Sequence, residues 1–291
     1  MGLTKREDAV TRHLLAGLLF IYALGRILQL YAGQVPTLII VVLHVVPPAI
    51  FALLHGSLLY KPRGMLLFFA LCLGTSTFFE SLSLRTGFPF GHYYFTDVMG
   101  PKLFQLPVLL ALAYVGMCYL SWVIALLLTG RPNETIRGKR VLLLPLIASC
   151  IMVAWDLSMD PVWANIDHAW VWRDGGAYFG VPISNFLGWL LTTYTFYQLF
   201  AFYMKERKPV PVASSNWILP ICFYGLSAAG NVLLLIPSTA GAVVTDHSGR
   251  RWMVSHILFA CVFVSVFVMG GFTLFASARL SRLPPPLSAD D

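Results

Sequence analysis

Charged side chains are scarce in this sequence. They make up 11% of its 291 residues, where a soluble domain carries roughly 25%. Set against 58% hydrophobic residues and a mean hydropathy of +0.75, that shortage excludes an ordinary soluble globule. Cysteine is sparse too: Cys72, Cys118, Cys150, Cys222 and Cys261 fall one to each of five apolar runs, with no C-x-x-C pair. This argues against a disulfide framework and against a zinc site. No lysine lies inside an apolar run, since Lys5, Lys61, Lys102, Lys139, Lys205 and Lys208 all fall in expected loops or in the first segment. A Schiff base of the retinal type therefore has no candidate. No small-residue cleavage site follows the first apolar run, so that run is expected to stay as a membrane helix rather than leave with a signal peptide.

What the sequence does hold is long apolar runs, near 12 to 32, 36 to 60, 65 to 84, 104 to 128, 140 to 157, 179 to 203, 216 to 236 and 253 to 277. About 20 such residues cross a hydrocarbon core. The expected fold is an all-α, polytopic transmembrane bundle of about eight helices, in one integral membrane domain over 1–283 with a disordered tail at 284–291. The net charge of +7 does not point to nucleic acid. Most basic residues precede run 1 or follow runs 2, 4, 6 and 8, which by the positive-inside rule puts both termini in the cytoplasm of a multi-pass cell-membrane protein.

The acids are placed unevenly. Glu80, Asp97, Asp156, Asp160, Asp167, Asp174 and Asp246 all fall toward the expected outer face. Three of them interrupt apolar sequence. In VAWDLSMDPVWANIDHAWVW, Val153 to Trp172, the four-residue spacing of Asp156 and Asp160 stacks both on one helix face, and Pro161 is expected to end that helix. Glu80 sits about one turn inside the outer end of its run. After it comes an aromatic loop, Phe88, Phe90, Tyr93, Tyr94 and Phe95, punctuated by Gly87, Pro89 and Gly91. Arg26, His44, His55, Asn231 and His256 are further polar residues in apolar surroundings. Arg26 suits either a functional role or snorkelling to the interface, and His44 and His55 suit packing or backbone hydrogen bonding.

Two stacked acids in low dielectric cannot both ionise cheaply, so at least one should hold its proton near neutral pH. A carboxyl aimed at an electron-rich double bond can generate a carbocation, and aromatic faces stabilise it. The same D-x-x-x-D pair looks like half of a magnesium diphosphate site, but a second Asp-rich motif is lacking. A transporter would also bury acids; here they gather at one end and not at the midplane.

The segments FFESLSLRTGFPFGHYYF (Phe78 to Phe95), WDLSMDP (Trp155 to Pro161) and WVWRDGGAYFGVPISNFLGW (Trp170 to Trp189) together resemble the membrane carotenoid-biosynthesis family. That family includes carotenoid hydratases acting on lycopene, γ-carotene or bisanhydrobacterioruberin. The resemblance implies addition of water across the terminal double bond of a linear carotenoid end group, leaving a tertiary alcohol. Cyclisation after the same protonation stays open. Combined with the polarity of the sequence, it makes Asp156 or Asp160 the expected proton donor, with the other tuning it or positioning water, and Glu80 the competing donor. Asn185 is expected to orient water or a carboxyl, and Tyr93, Tyr94, Trp155, Trp163 and Phe90 to line the pocket. Neither cofactor nor metal is expected. The expected partners are the carotenoid, lipid and other enzymes of the pathway, with no nucleic acid.

Overall fold

The computed structural model describes residues 5–282 apart from 213 and 240; the tail expected at 284–291 lies outside the described residues. Along the chain come α1 (Lys5–Leu28), α2 (Thr37–Thr86), β1 (Tyr93–Phe95), β2 (Lys102–Leu103), β3 (Leu106–Pro107), α3 (Val108–Thr129), α4 (Arg140–Asn165), β4 (Trp170–Trp172), α5 (Ile183–Met204), α6 (Ser214–Leu233), β5 (Val243–Thr245), β6 (Arg251–Met253), α7 (Val254–Phe263) and α8 (Gly270–Ser281). A π-helical stretch, Val264–Met269, joins α7 to α8. Among the described residues five helical segments are long and apolar enough to cross a membrane: Val10–Tyr31, Thr37–Thr86, Val108–Thr129, Arg140–Asn165 and Val254–Ser281. Helix is the economical answer for such runs, because each backbone group finds its partner within the segment.

At 50 residues, α2 would be about 75 Å long if straight, more than twice the roughly 30 Å of a hydrocarbon core. It breaks at Lys61 (φ 61°, ψ 161°), next to Pro62. The chain folds back there. Tyr119 of α3 meets His55 before the break and Phe68 after it, and Gly116 lies against Pro48 while Tyr114 reaches Glu80. The runs expected near 36 to 60 and 65 to 84 are thus the two arms of α2. Both arms pack against α3, which is buried continuously from Ala113 to Leu127.

Three prolines inside α4 and α6, Pro145, Pro161 and Pro220, each orphan the carbonyl four residues back, and in each case a side chain from elsewhere takes it. Proline removes one donor from the helical ladder, so the carbonyls of Leu157 (before Pro161), Val141 (before Pro145) and Asn216 (before Pro220) need new ones. Tyr178 Oη donates to Leu157 O at 3.2 Å, Gln198 Nε2 to Val141 O at 3.2 Å, and His55 Nε2 to Asn216 O at 2.9 Å. This corrects the expectation that Pro161 ends its helix: α4 continues through it to Asn165. It also gives His55 a backbone role, with Tyr119 Oη 2.6 Å from its other ring nitrogen.

The bundle is mostly helical, but among the described residues it also contains three two-stranded antiparallel ladders. The important one pairs β1 with β4, in the register Tyr93↔Trp172, Tyr94↔Val171, Phe95↔Trp170. Because successive strand residues face opposite sides, Tyr93, Phe95, Trp170 and Trp172 all turn inward and are buried. Together they form an aromatic cap over one end of α2, α4 and α5.

Candidate active site

Beneath the cap three carboxyls from two helices converge. Asp156 and Asp160 lie one turn apart on α4, and Asn185, in the first turn of α5, spans them: its Nδ2 donates to Asp156 Oδ2 at 2.9 Å and to Asp160 Oδ2 at 2.6 Å. The other oxygen of Asp160 accepts from Trp170 Nε1 at 2.7 Å and Trp172 Nε1 at 3.5 Å. Glu80, from the second arm of α2, accepts from the hydroxyls of Tyr93 and of Tyr114, the latter at 2.6 Å. Glu80, Asp156, Asp160 and Asn185 are each no more than 5% exposed. Among the described residues none of the three carboxyls forms an ion pair. Burial, with Glu80 beside it, pushes the Tyr93 phenol well above its ordinary value and keeps it a hydrogen-bond donor.

These groups line a cavity of about 20 Å³, roughly the space of one water. Its walls are aromatic: Tyr93 packs on Trp172 with ring centroids 4.8 Å apart, Tyr114 on Trp189 at 4.5 Å, and Phe90 on Trp189 at 5.0 Å. Gly188 makes the Phe90 contact possible. A Cβ there would lie 2.6 Å from Phe90 Cδ1 and 3.1 Å from the Pro89 backbone. Gly188→Ala should therefore destabilise the protein by about 1–3 kcal/mol, the usual effect of overpacking, read as a lowered thermal midpoint of the purified protein. An unchanged midpoint would show that Phe90 moves freely.

Of the residues expected at the site, Glu80, Phe90, Tyr93, Asp156, Asp160 and Asn185 line this one cavity. Tyr94 faces the other way, 40% exposed, with the Arg173 guanidinium 5.6 Å from its ring centroid. Trp155 and Trp163 line an adjoining cavity of about 50 Å³, and Trp163 stacks on Trp170. Tyr114 is a site residue outside the set expected from the sequence, because it lies within the apolar run near 104 to 128; its hydroxyl, which needs a partner at that depth, is the available signal. Trp170, Trp172 and Trp189 stand in the sequence as ends of quoted segments, and their hydrogen bonds and packing emerge only in the fold. Among the described residues no group of three or more histidine, cysteine or carboxylate side chains could hold a metal ion. The arrangement offers carboxyl groups, oriented donors and ring faces, which suits proton transfer to an apolar, electron-rich group.

Residues 33–245 match the family described as "Carotenoid biosynthesis protein". Over 126 residues, 42% of the chain, the sequence is 30% identical to a protein of Haloarcula japonica named bisanhydrobacterioruberin hydratase. That match spans 40% of the relative's own length. No solved structure matches.

Proposed function

Because the chain belongs to the carotenoid biosynthesis protein family, a membrane family, we propose that it is a carotenoid hydratase acting on the terminal double bond of a linear carotenoid. The observation that carries this reading is the cluster of three buried carboxyls, Glu80, Asp156 and Asp160, under an aromatic cap. The name of the Haloarcula japonica relative supports the reaction.

Like charges in a low-dielectric site repel, so at least one member of the Asp156–Asp160 pair carries a proton. In the first step its O–H bond breaks as a C–H bond forms at the less substituted alkene carbon, leaving a tertiary carbocation beside the Tyr93, Trp172 and Trp189 rings. Ring faces and the resulting carboxylate stabilise that cation. In the second step a water oxygen forms the C–O bond and returns a proton to the carboxylate, which restores the acid. No redox change and no cofactor are required. Asn185 keeps the pair in register, and the two phenols hold Glu80 at the cavity wall. We also propose eight membrane crossings, counting the arms of α2 separately, with both termini on the cytoplasmic side of the cell membrane, an orientation that the placement of basic residues supports.

The test is expression of the chain in hosts accumulating lycopene-, γ-carotene- or bisanhydrobacterioruberin-type pigments, with product masses measured. A product heavier by one water supports the proposal. An isomeric product would replace it with a cyclase, and unchanged pigment in all three hosts would count against acid catalysis on these substrates.

A further inference from the structure

The cavity under the cap is the inner end of a chain of cavities. It shares Leu110, Met159 and Trp170 with the adjoining one. That cavity in turn shares Arg26, His44, Met159, Trp163 and Asn231 with a third, of about 200 Å³, which reaches Thr37, Asp167 and Thr239 at one end of the bundle. Asp167 is half-buried there, outside α4, and burial pushes its carboxyl up to about 6.

Arg26 stands at the junction of the second and third cavities. It is 7% exposed. Its Nη2 donates to Ser227 O at 3.2 Å and Asn231 Oδ1 at 2.5 Å, while among the described residues its Nε has no partner. Among the described residues no carboxylate comes within ion-pair distance of it. Gly230 makes room for the guanidinium, because a Cβ at that position would overlap it. The polar wall continues on both sides of Arg26. Asn231 Nδ2 donates to Ser158 Oγ at 3.2 Å and Ser265 Oγ at 2.8 Å, and Gln29 joins the Gly230 carbonyl to His44.

A cation inside an apolar bundle is costly unless it is paired or keeps water. Among the described residues Arg26 has no carboxylate partner, but it does have a cavity leading to the bundle end. We propose that these cavities form the passage by which water reaches the acid cluster, and that Arg26 is the positioning residue that keeps the passage hydrated. This function rests on the hydratase reading. Water held by Arg26 and Asn231 is then separated from the carbocation by the wall that the two cavities share, Leu110, Met159 and Trp170. Arg26 touches neither substrate nor the reacting atoms. It governs capture of the cation and leaves its formation alone.

That division supplies the test. The full-length protein in lipid nanodiscs is given carotenoid in D₂O enriched in H₂¹⁸O, as wild type, Arg26→Met and Arg26→Lys. Wild type should give ¹⁸O-labelled alcohol. Arg26→Met should lose about tenfold or more of that product while recovered substrate still gains deuterium, and Arg26→Lys should restore product. Full hydration by Arg26→Met overturns the proposal. So does parallel loss of deuterium uptake and hydration in a variant that stays monodisperse, since that marks a purely structural role. Hydroxyl-radical footprinting reads the water directly. Met159 and Trp163 should label well above the fully buried Met65 and Trp122, and should lose labelling in Arg26→Met. Protection of both in wild type overturns the passage, as it would if an anion were seated on Arg26 in place of water. If wild type makes no ¹⁸O product from any carotenoid but Met159 labelling still depends on Arg26, the hydratase reading fails and the passage stands.

Discussion

Asp160→Asn should lower turnover by about 10²–10⁴-fold, the usual contribution of a positioned general acid or base, without unfolding the protein. The replacement is nearly isosteric, and its oxygen can still accept from Trp170 and Trp172. Its new amide faces Asn185 Nδ2, 2.6 Å from the present carboxylate oxygen, so two donors would meet. Rotation of the Asn185 amide by half a turn relieves this and presents its oxygen to the new amide. Asp156 then loses the donor it now has at 2.9 Å. The variant therefore removes one ionisable member of the pair and misorients the other. Asp156→Asn should act alike, and the double variant should be little worse than either single one, because groups acting as a unit are not additive. Product formation per folded protein, with thermal unfolding as the check on folding, measures all three. If both single variants keep full activity while Glu80→Gln abolishes it, the proton comes from Glu80 and the proposed role of the aspartate pair is wrong.

The residues of this site were legible in the sequence for different physical reasons. The stacking of Asp156 and Asp160 follows from helical period alone, and an acid in an apolar run announces itself by its desolvation cost. The convergence of Glu80 with that pair could be narrowed only to a shared side of the membrane, since no local rule brings α2 to α4. The cap was illegible for a related reason. Tyr93 and Trp172 pair across 79 positions of sequence, and without the register nothing separates Tyr93, which faces inward, from Tyr94, which does not. Part of the aromatic loop after Glu80 is in fact one strand of a ladder. Pro161 misled because a proline inside a helix need not end it when another donor takes the orphaned carbonyl, and Tyr178, seventeen residues downstream, supplies one. The reversal at Lys61 shows the opposite case. There a basic residue next to proline divided two apolar runs, and composition was sufficient to place the break.

Asn185→Leu should reduce turnover roughly a hundredfold and stability by about 1–3 kcal/mol, the range for leaving buried polar groups without their partner. Asn185 is 2% exposed and is the side chain whose donor group touches both aspartates. Leucine fills a similar volume, so the loss comes from the missing hydrogen bonds and not from a cavity. Asp160 keeps its bonds from Trp170 and Trp172 on the opposite oxygen, which limits the damage to stability. Catalysis has no such reserve. With the bridge gone, both carboxyls are free to rotate about their side-chain torsions, and the nearest way to satisfy their facing oxygens is to share the proton between them. A proton held in an Asp156–Asp160 hydrogen bond is not available to an alkene. The expected signature is a fall in kcat larger than any change in KM, with a melting shift smaller than that of an aspartate-to-leucine change at 160. Turnover equal to wild type in a folded Asn185→Leu protein would show that the two carboxyls keep their positions unaided, and that the bridge serves the fold alone.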